Sequence, residues 1–231
     1  MKNRIHNTNS LFGSLLSLYG NLDYGKPRRL RAKSIKQFFG RFYHLTHIGL
    51  LLTTVTLLIG LLRRNMKPSS RNSRVYAFMR SAHIDLLALT VTVECFIPAI
   101  FWGLWWIDES TVVVKSSYVG EDTISLFFNL CMHGFPTVFL LVEFFEGVFL
   151  SRRVHYIIIS GFFAFYIAVM VLFYNKTGTW PYGVIEGFSP LGKVAFFGFC
   201  FACVCFVYKC LVSAHEMVWK DTRDRKGSRE D

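Results

Sequence analysis

Long uncharged windows dominate the hydrophobic pattern of this chain. Five of them are long enough to cross a bilayer, which takes about 20 apolar residues in helical form. They cover residues 43–62, 86–107, 123–150, 156–174 and 194–214. Inside lipid each must be a helix, because every backbone N–H and C=O needs a partner within its own segment. A sixth, shorter window lies at 11–24 (LFGSLLSLYGNLDY). It predicts a further helix at the N-terminus, with a segment lying on the membrane surface as the alternative. A cleaved signal peptide fits poorly, because no small-residue cleavage site follows and the next stretch is basic. The fold class expected is therefore all-α, a polytopic membrane bundle of five to six spans. A basic N-terminal region at 1–41 precedes a transmembrane domain at 42–214, and a charged tail follows at 215–231.

Composition supports this picture. Hydrophobic residues make up 52% of the 231 residues and charged residues 18%, below the roughly 25% of a typical soluble domain. Trp102, Trp105, Trp106, Trp180 and Tyr182 sit at window ends, where aromatic belts meet the interface. The 26 basic residues outnumber the 15 acidic ones, for a net charge of +11. Much of this charge flanks the spans and points to anionic lipid headgroups as partners. No nucleic-acid module accompanies it.

The basic loops also give an orientation. Arg63, Arg64, Lys67, Arg71, Arg74 and Arg80 follow the first window, Arg152 and Arg153 follow the third, and Lys220, Arg223, Arg225, Lys226 and Arg229 lie in the tail. These three regions share one side, which is expected to be cytosolic. The opposite loops hold only Lys115, Lys176 and Lys193, beside the sequon Asn175-Lys176-Thr177. The stretch 26–41, with seven basic residues, argues the other way. Three regions outweigh one.

The six cysteines all lie in spans, so no disulfide framework is expected. Cys200 and Cys203 read as small packing residues, and neither a metal nor a cofactor is expected.

Ionisable and polar residues inside a span are costly, and each is a functional candidate. Thr46 and His47 open the first window, Glu94 sits within the second, Asn129, His133, Glu143 and Glu146 lie in the third, and Lys209 in the fifth. Asn129 and His133 share a helix face one turn apart. Pro136 is expected to kink the helix beside them. Glu94 is expected to pair with His133 or Lys209 or to stay protonated, and Glu143 and Glu146 to snorkel to the interface or to pair with Arg152 and Arg153. In this topology the first and third windows enter from the same side, so a hydroxyl at Thr46 and an imidazole at His133 can meet. Neutral imidazole is the natural base to activate a hydroxyl near pH 7. Read from the residues alone, His133 as a packing residue that bonds a neighbouring helix stays open.

The run FFNLCMHGFPTVFLLVEFF (127–145) resembles a helix of the androgen-induced membrane protein family. So do FWGLWWIDES (101–110), TGTWPYGVIEGFSPLGKVAFFG (177–198) and FYHLTHIGLLL (42–52). The resemblance implies a multi-span helical protein of an internal membrane such as the endoplasmic reticulum. It also implies a threonine hydrolase that cleaves fatty acid esters of hydroxy fatty acids. Carried onto this chain, the nucleophile falls on Thr46, its base on His133, and the family's Asn on Asn129, to orient the imidazole or stabilise an oxyanion. Two positions depart from the family: Trp180-Pro181-Tyr182 where it has an order closer to W-V-Y-P, and Leu130 where it has a second His. Arg41, near the headgroups, is our candidate for the substrate carboxylate. The rival classes are a non-catalytic protein that binds lipid or a partner, and a small transporter.

Overall fold

The structure is a computed structural model and describes residues 2–22, 42–67, 73–107, 125–147 and 149–227. It is all-helical: α1 (Lys2–Asn21), α2 (Leu45–Asn65), α3 (Arg74–Ile107), α4 (Leu126–His133), α5 (Phe135–Glu146), α6 (Arg153–Thr177), the short α7 (Gly183–Glu186) and α8 (Pro190–Gly227). Five segments are long and apolar enough to cross a membrane: α2, α3, α4 with α5, α6, and Pro190–Lys220 of α8. They coincide with the five windows of the sequence. The chain is a multi-span membrane protein. The last helix runs on through the charged stretch to Gly227.

The N-terminal helix is longer than its apolar window and starts at Lys2. Its 20 residues would extend about 30 Å at 1.5 Å each. Its sidedness is reversed relative to a soluble helix. His6, Ser10, Ser14, Ser17 and Asn21 are buried, while Ile5, Phe12, Leu15 and Leu18 are exposed. Small and hydroxylated residues packed inward with apolar ones outward are what a lipid solvent selects. At Gly13 an added Cβ would sit 2.7 Å from Leu57 Cδ1 and 2.8 Å from Phe139 Cβ. The absence of a side chain there is what lets α1 approach α2 and α5. The two ends are tied separately. Asn7 Nδ2 donates to Asn65 Oδ1 at 3.1 Å, and Asn21 Nδ2 donates to the His47 carbonyl at 3.3 Å. Thus α1 runs antiparallel to α2, with its N-terminus at the end that carries Arg63 and Arg64.

The most buried span is α3, whereas α6 and α8 leave most of their surface turned outward. One apolar core joins Val93, Phe96 and Ile97 of α3 to Ile159 of α6 and Val204 of α8; another joins Leu57, Val91 and Leu140. Two prolines shape the interior. Pro98 lies inside α3 and has no N–H to give the Glu94 carbonyl one turn back. The Thr137 hydroxyl of α5 donates to that carbonyl instead, the re-satisfaction that a broken ladder in lipid requires. Pro136 occupies the first turn of α5, and the break expected near it falls at Gly134, directly after His133.

Three expected pairings differ in the structure. Glu94 is fully buried and accepts from the Thr53 hydroxyl at 3.2 Å, not from His133 or Lys209. Glu143 pairs with Arg64, and Glu146 with His6. Arg152 pairs with Asp85 instead. The reason is the packing of α1 and α2 against α5, which brings closer partners than the loop after it.

Candidate functional site

Thr46 stands in the first turn of α2 and His133 at the last residue of α4. The break at Gly134 ends the helix there and leaves the ring facing α2 and α3. Thr46 Oγ1 lies 3.3 Å from His133 Nε2. On the other side of the ring, Nδ1 lies 2.8 Å from Asn129 Oδ1. A carbonyl oxygen only accepts, so Nδ1 carries the proton and Nε2 presents its lone pair to the Thr46 hydroxyl. This is the tautomer a general base needs. Asn129 thus lies within hydrogen-bond reach of the ring nitrogen remote from Thr46.

The ring is held on further sides. Phe101 stacks on it with centroids 3.7 Å apart and an interplanar angle of 7°. Trp102 Nε1 donates to the His133 carbonyl at 3.3 Å. His133 is buried, and Thr46 half-buried.

A chain of hydroxyls holds the start of α2. The Leu45 N–H donates to Tyr182 Oη at 2.9 Å. The Tyr182 hydroxyl lies 2.9 Å from that of Tyr166, which donates to the Tyr43 carbonyl at 3.1 Å. An orphan N–H of the helix start is thus satisfied beside Thr46. Tyr182 lies in the loop between spans, and burial pushes its hydroxyl pKa up from 10. Sequence reasoning placed Trp102 and Tyr182 in interface belts and passed over Tyr43 and Tyr166. For Tyr43 and Tyr182 the signal was their place at span ends, but spacing alone does not say which aromatic residues turn inward; Tyr166, in the middle of α6, gave no such signal.

Thr46 also borders an apolar cavity of about 130 Å³ between α3, α6 and α8, whose walls include Phe101, Phe162, Tyr166, Ile185 and Phe196. Arg41 lies outside the described residues. Among the described residues, no cluster of three His, Cys, Asp or Glu side chains is placed to hold a metal.

The family model for the FAR-17a/AIG1-like protein matches residues 12–216, a stretch that holds Thr46, Asn129 and His133. The chain belongs to this family. It is also similar to the androgen-dependent TFPI-regulating protein of Mus musculus, 27% identical over 204 residues, covering 84% of this chain and 85% of the relative. The proteins of that name from Homo sapiens and Mesocricetus auratus are 26% and 25% identical, covering 82% and 81% of both chains. No solved structure matches it. The match takes in the second half of α1 and nearly all of the five spans.

Proposed function

We propose that this protein is a membrane-embedded hydrolase of lipid esters, with Thr46 as nucleophile and His133 as its base. The observation that carries the reading is the alignment of Thr46 Oγ1, the His133 ring and Asn129 Oδ1, at 3.3 Å and 2.8 Å. Nucleophile, base and orienting group follow one another within hydrogen-bond reach, which is the general signature of an activated hydroxyl.

In the reaction, Thr46 Oγ attacks the ester carbonyl as its proton passes to His133 Nε2. The imidazolium returns that proton to the departing alkoxide, which leaves as the hydroxy fatty acid. The acyl group stays on Thr46. Water then attacks the acyl-Thr46 ester and gives a proton to His133. Collapse of the adduct returns this proton to Thr46 Oγ and frees the fatty acid. Fatty acid esters of hydroxy fatty acids are the substrate class we favour. The apolar cavity beside Thr46 suits an acyl chain. A cavity of this size takes a group the size of benzene, so a long chain extends from it toward lipid between the sparsely packed α6 and α8. The site lies at the end opposite Arg63 and Arg64, the lumenal side of an internal membrane in the orientation set by loop charge.

Purified protein in detergent or nanodiscs should hydrolyse such an ester, and Thr46→Ala and His133→Ala should each abolish turnover. The two act as a unit, so the double variant should be no worse than either. Well-folded Thr46→Ala with full turnover would overturn the assignment.

A further inference from the structure

A second cavity, this one polar, lies at the opposite end of the bundle from Thr46, at the end that carries the basic loops. Its volume is about 250 Å³, and its lining draws on α1, α2, α3 and α5. His6, Arg63, Arg64, Arg80, His83, Glu143 and Glu146 line its polar side. Ile84, Leu87, Phe144 and Phe149 line its apolar side.

The charges in this cavity do not cancel. Glu143 is taken by Arg64, and His83 Nε2 stands 3.2 Å from the same carboxylate. Glu146 is taken by His6. Ser10 donates to Glu143 Oε2 at 3.2 Å. Each carboxylate thus has its partners within the protein. At Gly60 an added Cβ would sit 2.7 Å from His83 Nε2 and 2.9 Å from Glu143 Oε1, so the glycine keeps this packed cluster possible. Arg63 and Arg80 are left over. Neither has an acidic partner among the described residues, and Arg63 Nε is buried without a hydrogen bond. A buried guanidinium donor without an acceptor is costly. Arg63, half-buried on α2, and Arg80, exposed on α3, face this space from adjoining helices.

We propose that Arg63 and Arg80 bind the phosphate of an anionic phospholipid headgroup in this cavity. Guanidinium groups match phosphate oxygens in a planar, two-pronged geometry. Basic pockets between spans on the side of the basic loops are the recurrent setting for such headgroups. The apolar wall of Ile84, Leu87, Phe144 and Phe149 accommodates the glycerol and first acyl carbons. The site is separate from the Thr46–His133 pair and does not depend on its chemistry.

The test uses full-length protein in phosphatidylcholine nanodiscs with and without phosphatidic acid. Lipid that stays bound after extraction is identified by native mass spectrometry. The wild type should retain phosphatidic acid in preference to phosphatidylcholine. Arg63→Gln with Arg80→Gln should lower that retention by roughly 30-fold, and each single change by about fivefold. Lys220→Gln, at an exposed position near the end of α8, should leave it unchanged. Excess inorganic phosphate should not displace the lipid; displacement would mean that the cavity takes free phosphate instead, and would overturn the headgroup assignment. Absence of any preference in the wild type would overturn the proposal without reference to how the variants fold. So would equal retention by a folded double variant.

Discussion

The Tyr182 hydroxyl accepts the Leu45 N–H at 2.9 Å, one residue before Thr46. A loop between the last two spans therefore fixes the start of α2, where the proposed nucleophile stands. Tyr182→Phe keeps the ring and removes the acceptor. It should cost about 1 kcal/mol of stability and lower kcat by roughly 10- to 100-fold through misplacement of Thr46. KM should change little. The neutral hydroxyl is the buried form, and its folded pKa lies above its unfolded value of 10. Its contribution is fully present below about pH 10 and is lost as pH rises through the higher folded value. The wild type should therefore lose its Tm advantage over Tyr182→Phe only in strong alkali. Wild-type kcat in Tyr182→Phe would sink this positioning role.

Asn129 can be tested for the orienting role proposed for it. Its Oδ1 accepts from His133 Nδ1 at 2.8 Å, whereas an oxyanion contact would need it to donate. Asn129→Ala should lower ester turnover by about 10²-fold. Asn129→Asp separates the two roles, because a carboxylate accepts and does not donate. It should keep most of the activity if the residue orients the ring. A loss in Asn129→Asp as large as in Asn129→Ala would favour the oxyanion role.

The approach of α1 to its neighbours rests on Gly13. With Leu57 Cδ1 at 2.7 Å and Phe139 Cβ at 2.8 Å from an added Cβ, one contact is to a side-chain tip and the other to an atom fixed by its backbone. Gly13→Val should destabilise the protein by about 1–3 kcal/mol, seen as a lower Tm in detergent. Gly161, where an added Cβ would meet nothing within 4 Å, serves as the control. An unchanged Tm for Gly13→Val would mean that α1 is not packed as described.

How much of this was legible beforehand depended on the kind of signal. Spans announce themselves by length and apolarity, so α2, α3, α4 with α5, α6 and α8 were placed from sequence. The first half of α1 was not, because the apolar window opens only at Leu11 and polar residues such as His6 and Ser10 precede it. In a lipid solvent they are the inward face. Thr46 and His133 were paired from a family likeness and a shared side of the membrane, and the structure brings them within 3.3 Å. Pro136 signalled a kink beside His133 but not its exact register at Gly134. The partners of Glu143 and Glu146 were misjudged because sequence gives neighbours along a chain, while Arg64 and His6 arrive from other helices. Phe101 on the His133 ring and Tyr182 at Leu45 are tertiary contacts with no sequence spacing to betray them.

The pairing of Thr137 with the Glu94 carbonyl gives the most stringent test of the packing. Pro98 removes the N–H that would otherwise satisfy this carbonyl, and the Thr137 hydroxyl takes its place. Thr137→Val keeps the shape and removes the donor, so it should cost about 0.6 kcal/mol and up to about 1.7 kcal/mol, the range of single hydrogen bonds between membrane helices. Pro98→Ala restores a helical N–H to Glu94. In that background the carbonyl no longer needs the hydroxyl, and Thr137→Val should cost less. The two changes are thus coupled, and a double-mutant cycle in thermal or denaturant unfolding measures the coupling. Additive losses would show that Thr137 does not compensate for Pro98. A positive coupling, with the double variant more stable than the sum of the single ones predicts, would establish that the proline and the threonine form one device across two helices.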